Sequence, residues 1–169
     1  MNIVLDTKRF SLGNTNFLDT KRNIIMDGNF TKIIYSNEWF TMNGLFFLFP
    51  IETLSIQKIM NKMTMKFHPY QPLNLSIIQD FAKIEYRLIE YYKQMNQCNK
   101  KTSNLLAKQL YSGNIKVYKD YNGDNYNSNI INNINETDFS QYVMKISGIW
   151  ETRDEVGLTF KLIHASDNF

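Results

Sequence analysis

Aromatic and lysine side chains are interleaved in two stretches of the chain, residues 32–40 and 58–70. Aromatic rings stack on unpaired bases and lysines neutralise phosphates, so this combination is typical of surfaces that hold single-stranded nucleic acid. The alternative is structural, because aromatic residues on strands commonly belong to a hydrophobic core. The rings that we predict to be available for stacking are Tyr35, Trp39, Phe67 and Tyr70.

The basic residues are distributed unevenly along the 169-residue chain. Its net charge is only +3, from 19 basic and 16 acidic residues, but residues 53–110 contain 9 basic and 3 acidic side chains. A local excess of this kind favours a polyanionic partner more than the net charge does. The lysines that we predict to contact phosphate are Lys32, Lys58, Lys62, Lys66, Lys100, Lys101, Lys116, Lys145 and Lys161.

Catalytic signatures are missing from the sequence. It contains no glycine-rich phosphate loop, nucleophile elbow, zinc-protease motif or dinucleotide fingerprint. Glu151, Asp154 and Glu155 are close in sequence and would suit a metal-dependent nuclease if they converged in a groove, but a solvated turn is the better account of them. We therefore predict a protein that is not an enzyme and that uses no metal and no cofactor.

Cysteine and histidine usage argues against stabilisation by cross-links. Cys98 is alone, so no intramolecular disulfide can form, and His68 and His164 lie far apart in the sequence without cysteines near either.

No apolar run is long enough to span a bilayer, and Asp6 interrupts the segment where a signal peptide would be apolar. We predict no membrane association, no secretion and a cytoplasmic location.

Turn signals in the first fifty residues predict two hairpins in series. Residues 23–26 and 30–35 flank Asp27-Gly28, and residues 39–42 and 45–49 flank Asn43-Gly44. The stretch Leu45–Phe49 is apolar on both faces, which indicates a strand inside a barrel or one whose second face is covered by another element or by another chain. Cover by another chain supports an alternative function, a protein interaction or virion structural module that oligomerises through this strand.

Helical periodicity follows in the middle of the chain. Residues 54–65 are compatible with a strand or a short helix, and residues 67–72 form a loop with two prolines. Apolar residues then recur at helical spacing from Ile77 to Met95, with Ser76 as the predicted N-cap. A second, shorter helix is predicted over residues 103–111.

The last third of the sequence has alternating β patterns. A strand is predicted at residues 115–118, and an asparagine-rich mobile loop at about 120–138. Two further strands flank the polar turn at residues 153–155 and form a hairpin. Its alternation places Lys145 and Lys161 together on the face opposite the core.

These elements predict a single domain over residues 1–169, mainly β with helices (α+β). Their order is that of an OB-like five-stranded Greek-key barrel, the oligonucleotide/oligosaccharide-binding fold, with a long amphipathic helix and a second short helix inserted at about 74–112. The fold alone does not establish a function.

Two segments carry a resemblance to a known family. Residues 29–36 with 40–45, and residues 144–152 with 157–161, are similar to parts of the barrel-fold single-stranded DNA-binding proteins of large double-stranded DNA viruses. The resemblance implies cooperative, sequence-independent coating of single-stranded DNA during replication or recombination, without catalysis. It also implies a homo-oligomer located in the cytoplasm or the viral replication factory, with replication proteins as further partners.

Overall fold

The computed structural model describes residues 3–24, 27–119 and 141–165. These ranges contain two α-helices, two short 3₁₀ helices (Thr7–Arg9 and Leu12–Asn14) and eleven strands, so the fold is α+β. The α-helices are α1 (Pro72–Met95) and α2 (Leu105–Tyr111). The strands are β1 (Thr15–Phe17), β2 (Lys21–Arg22), β3 (Asn29–Ser36), β4 (Thr41–Met42), β5 (Leu45–Leu48), β6 (Ser55–Ile59), β7 (Lys62–Lys66), β8 (Lys101–Ser103), β9 (Asn114–Lys119), β10 (Gln141–Glu151) and β11 (Glu155–Ala165).

The strands pair in one branched, mixed sheet. Its main order is β1-β3-β10-β11-β9-β7-β6, with β2 and β4 also on β3, β5 on β10 and β8 on β11. Strands β8 and β9 run parallel to β11, and the other pairs are antiparallel. Among the described strands, β1 and β6 lie at opposite ends of this order and do not pair, so the sheet does not close into the predicted five-stranded barrel.

The C-terminal hairpin that the alternating pattern predicts is present, and the structure places it at the centre of the sheet. Strands β10 and β11 pair from Gln141↔Ala165 to Glu151↔Val156, with an irregularity between Ile146 and Gly148. At this point β10 changes its other neighbour from β5 to β3. A Cβ atom on Gly148 would lie 2.3 Å from the Thr31 carbonyl oxygen, so only glycine lets β3 approach this closely.

The first fifty residues differ from the predicted pair of hairpins. Strand β4 pairs with β3, whereas β5 pairs with β10, so Asn43-Gly44 joins strands with different partners and is not a hairpin turn. The first turn is present, but its leading strand is β2, earlier than the predicted residues 23–26, of which 25 and 26 lie outside the described residues.

Strand β5, which is apolar on both faces in the sequence, is covered by other parts of the same chain. Leu45 and Phe47 are buried in the core, and the free edge of β5 is bridged by Leu5, whose backbone N–H donates to the Phe46 carbonyl. Phe46 is half-buried on the other face, and Leu48 is exposed. The interior of this protein therefore accounts for the buried side chains of β5.

Helix α1 begins earlier than predicted. Pro72 occupies the first turn, where its missing N–H costs nothing, and Ser76 lies inside the helix and not at its cap. The apolar stripe packs on one face of the sheet together with Leu106 and Leu110 of α2. No described helix combines the length and apolar character that a bilayer span requires.

Residues 54–66 form a β-hairpin and not a helix. Strands β6 and β7 pair from Ser55↔Lys66 to Ile59↔Lys62, and Met60 at the turn has a positive φ of 54°. Strand β7 continues the sheet by pairing with β9. The predicted mobile loop at 120–138 lies outside the described residues.

Candidate nucleic-acid interface

Five lysine side chains converge on one groove of the sheet. The groove has a volume of ≈ 550 Å³ and is also lined by Asn61, Met63, Val117, Tyr118 and Ile163. Its lysines come from four strands: Lys58 from β6, Lys116 and Lys119 from β9, Lys145 from β10 and Lys161 from β11. We call this the lysine groove.

Strand register explains why three of these lysines, Lys116, Lys145 and Lys161, share one face of the sheet. Alternation instead puts Lys58, the partner of Met63, and Lys119 on the face of Val117. Lys145 and Lys161 are direct cross-strand partners, as the alternation of the hairpin predicts. Lys161 precedes Leu162, and Lys116 precedes Val117, in a parallel pair whose register joins Leu162 to Val117. The buried neighbours Met144, Leu162 and Val117 point to the core, so their lysine neighbours point away from the helices.

An aromatic ring lies among the lysines. The Lys116 and Lys161 ammonium groups lie 4.4 Å and 5.1 Å from the centroid of the Tyr118 ring. One strand beyond Lys161, the Lys145 ammonium lies 5.4 Å from the centroid of the Phe46 ring, and Phe46 is the cross-strand partner of Lys145. Each ring therefore holds at least one lysine in place through a cation–π contact.

The lysine groove is electrostatically unbalanced. None of its lining residues is acidic, and the ion pairs between described residues involve other lysines. Like charges at this spacing repel one another and oppose folding, and the repulsion is relieved when an anion binds. The arrangement is suited to binding a polyanion.

Three predicted lysines of the sheet lie outside the groove. Lys32 is exposed on β3, and Lys62 and Lys66 flank Thr64 on β7, next to the groove but not in its lining. Thr64 is the cross-strand partner of Lys116, so Lys62 and Lys66 lie one strand away from it. Lys62 and Lys66 therefore add positive charge near the groove without lining it.

Lys100 and Lys101 are used in ion pairs instead of facing the groove. Lys100 contacts the Glu151 carboxylate and donates to the Thr152 carbonyl, and its hydrogen bond to Glu151 raises its pKa. Lys101 lies 3.8 Å from Glu155. Glu151 therefore holds Lys100, whereas Lys101 makes only a long, exposed pair with Glu155. Neither lysine lines the lysine groove, so the structure does not bring these two together with the other predicted lysines.

Two of the four predicted stacking rings are buried. Tyr35 is 1% exposed and its hydroxyl accepts a hydrogen bond from the Ser11 backbone N–H, and Phe67 is 3% exposed and packs against Phe49. Neither ring has a face that a base could reach, so both assignments are corrected. Alternation explains the error for Tyr35, which lies on the same face of β3 as the buried Ile33.

The other two predicted rings are exposed but lie elsewhere. Trp39 is 86% exposed in the loop between β3 and β4, where the Asn37 side chain accepts the backbone N–H groups of Trp39 and Phe40. Tyr70 is 70% exposed and lies beside Tyr111. Neither lines the lysine groove.

Sequence reasoning missed Tyr118, Lys119 and Phe46. Tyr118 is two residues from Lys116 on the same strand, so strand alternation places both on one face. That spacing was the available signal for Tyr118. The contact between Phe46 and Lys145 depends on the pairing of β5 with β10, which no local pattern reveals.

The acidic residues near the C-terminal turn do not form a metal site. Among the described residues no group of three potential ligands converges. Glu151 instead accepts a hydrogen bond from the Tyr92 hydroxyl at 2.8 Å and contacts Lys100. Burial works to raise the pKa of Glu151, but these two hydrogen bonds outweigh it and keep the pKa below its usual value.

Comparisons with protein-family models, with curated proteins and with solved structures found no match to this chain.

Proposed function

We propose that this protein binds single-stranded DNA, with little sequence preference, through the lysine groove. The observation that carries the proposal is a groove lined by five lysines, two of which lie over the Tyr118 ring, without any acidic residue in the lining. A lysine that contacts phosphate acts as a point charge and this contact carries no sequence information, so we expect the affinity to depend little on sequence.

Stacking of a base on Tyr118 and pairing of its lysines with phosphate should together be stronger than the cation–π contacts that they replace. A cation–π contact at an exposed site is worth about 0.5–1 kcal/mol. Stacking of a base on an aromatic ring is worth about 1–3 kcal/mol, and phosphate pairing adds to this. A bound strand therefore draws the Lys116 and Lys161 ammonium groups onto its phosphates and leaves the Tyr118 ring free for a base.

The resemblance of two sequence segments to viral single-stranded DNA-binding proteins supports the same proposal. The second of these, residues 144–152 with 157–161, includes parts of the strands that build the site, because it contains Lys145 and Lys161. A relationship to the OB fold, a role in DNA replication or recombination in the infected cell, homo-oligomerisation and contacts with replication proteins belong to this proposal. The alternative module that oligomerises through β5 is less favoured, because the chain itself covers that strand.

Salt dependence tests the proposal. We expect fluorescence anisotropy with a labelled oligothymidylate to give binding whose log K falls with log[salt] at a slope of about −3.5, from five contacts at about −0.7 each. Binding to a mixed-sequence strand of the same length should follow the same line. An affinity that is undetectable at low salt, or that does not respond to salt, would refute the proposal.

A further inference from the structure

A row of side chains crosses the sheet at right angles to its strands. Phe46, Lys145 and Lys161 are successive cross-strand partners on β5, β10 and β11. Lys116 follows on β9, beside Lys161, and is in turn the partner of Thr64 on β7. The positive charges of the lysine groove therefore extend across the sheet and not along one strand.

Two aromatic rings flank the lysines of this row. Tyr118 lies on β9 under Lys116 and Lys161, and Phe46 lies on β5 under Lys145. Strands β9, β11, β10 and β5 are neighbours at about 4.8 Å, so the two rings are about 15 Å apart. Lys161 and Lys145 occupy the interval between them.

This spacing matches a short stretch of single strand. Consecutive phosphates of one strand are about 3.4 Å apart along a duplex axis, so about four stacked nucleotides, or fewer unstacked ones, cover the interval. Building on the proposed function, we propose that bound single-stranded DNA crosses the sheet from Tyr118 to Phe46, stacks on both rings, and places its intervening phosphates on Lys161 and Lys145.

The proposal predicts that Phe46 matters only to ligands that are long enough to reach it. We expect Phe46→Leu, which keeps apolar bulk but removes the flat ring, to weaken binding of an oligothymidylate of about ten nucleotides by about fivefold or more. Binding of a dinucleotide of thymidine, measured by NMR titration, should be unchanged. Leu48→Ala on the same strand is the control and should alter neither affinity.

The outcomes separate this inference from the function on which it depends. Tyr118→Leu should weaken the binding of both ligands, because a strand of either length reaches the groove. If Phe46→Leu leaves the affinity of the longer ligand unchanged while Tyr118→Leu reduces it, the proposed path is wrong and the proposed site stands. If the unmodified protein binds neither ligand, the proposed function itself fails. Circular dichroism of each variant identifies any loss caused by misfolding.

Discussion

Reversing the charges of Lys145 and Lys161 together will reduce the affinity for single-stranded DNA by about 100-fold at low salt. A lysine–phosphate pair at about 4 Å is worth about 1 kcal/mol even in bulk water, and Lys→Glu replaces this attraction by an equal repulsion. Two reversals amount to about 4 kcal/mol before screening, and about 3 kcal/mol after it corresponds to about 100-fold. Anisotropy titrations of Lys145→Glu/Lys161→Glu against the unmodified protein measure the change.

The control for this pair is a double reversal with the same change in net charge on the other side of the molecule. Lys83 and Arg87 are exposed on α1, away from the groove. We expect Lys83→Glu/Arg87→Glu to alter affinity by less than about threefold, since distant exposed charges are screened. An equal loss in both double variants would mean that net charge, and not the lysine groove, governs binding.

The groove variant should also remain folded. Lys145 and Lys161 lie among other lysines with no acidic neighbour in the lining, so replacing them by glutamate relieves repulsion in the folded state. The change also removes the cation–π contacts to Phe46 and Tyr118, so the two effects oppose each other. We expect the thermal midpoint to stay within a few degrees of that of the unmodified protein, which separates a loss of binding from a loss of structure.

Truncating Glu85 will destabilise the fold by about 3–4 kcal/mol. Its carboxylate is 1% exposed on α1 and accepts the backbone N–H groups of Leu106 and Ala107, at 2.9 Å and 3.0 Å, in the first turn of α2. Glu85→Ala leaves the buried Leu106 N–H and the half-buried Ala107 N–H without this acceptor, at about 1–3 kcal/mol for a buried donor, and creates a small cavity. Urea denaturation at neutral pH measures the loss.

Glu90→Ala is the matched control on the same helix. Glu90 is partly exposed, and its one ion pair among the described residues is with Lys93, at 3.6 Å, so its removal should cost less than about 0.5 kcal/mol. Glu85→Gln keeps one acceptor and should fall between the two. A loss from Glu85→Ala no larger than that from Glu90→Ala would contradict the role of Glu85 as the connection between the helices.

The same residue makes stability depend on pH. Burial raises the pKa of Glu85, and the hydrogen bonds from Ala107 and Leu106 oppose this only in part. Folding then takes up a proton between the unfolded and the folded pKa, so the contribution of Glu85 to stability falls as the pH rises through this window. Because glutamine does not titrate, Glu85→Gln should remove this component from the pH dependence of the free energy of unfolding, measured by urea denaturation at several pH values.

Elements with sustained periodicity were predictable from the sequence. The C-terminal hairpin alternates over about ten residues on each strand, and only one register puts Met144 and Leu162 in the core, which also fixes Lys145 beside Lys161. The stripe of α1 was equally clear. Its start was not, because Ser76 and Pro72 are both acceptable N-terminal residues and tertiary contacts decide between them.

Long-range pairing was not predictable in the same way. Asn43-Gly44 is a strong local turn signal, but the partner of β5 is β10, almost a hundred residues later in the chain. The ion pair of Lys100 with Glu151 could not be predicted for the same reason, because the two residues are 51 positions apart and only the folded sheet brings them together. The lysine groove depends on such pairings, so the sequence indicated several of its lysines but not their convergence.

Lysine footprinting tests the lysine groove most directly. The protein is treated with an amine-acetylating reagent with and without a saturating oligothymidylate at low salt, and each modified lysine is quantified by mass spectrometry. We expect Lys58, Lys116, Lys119, Lys145 and Lys161 to be protected severalfold, and Lys83 and Lys108 on the helices to react equally in both samples. Protection of the helical lysines, or unchanged reactivity in the groove while the oligonucleotide is bound, would contradict the account.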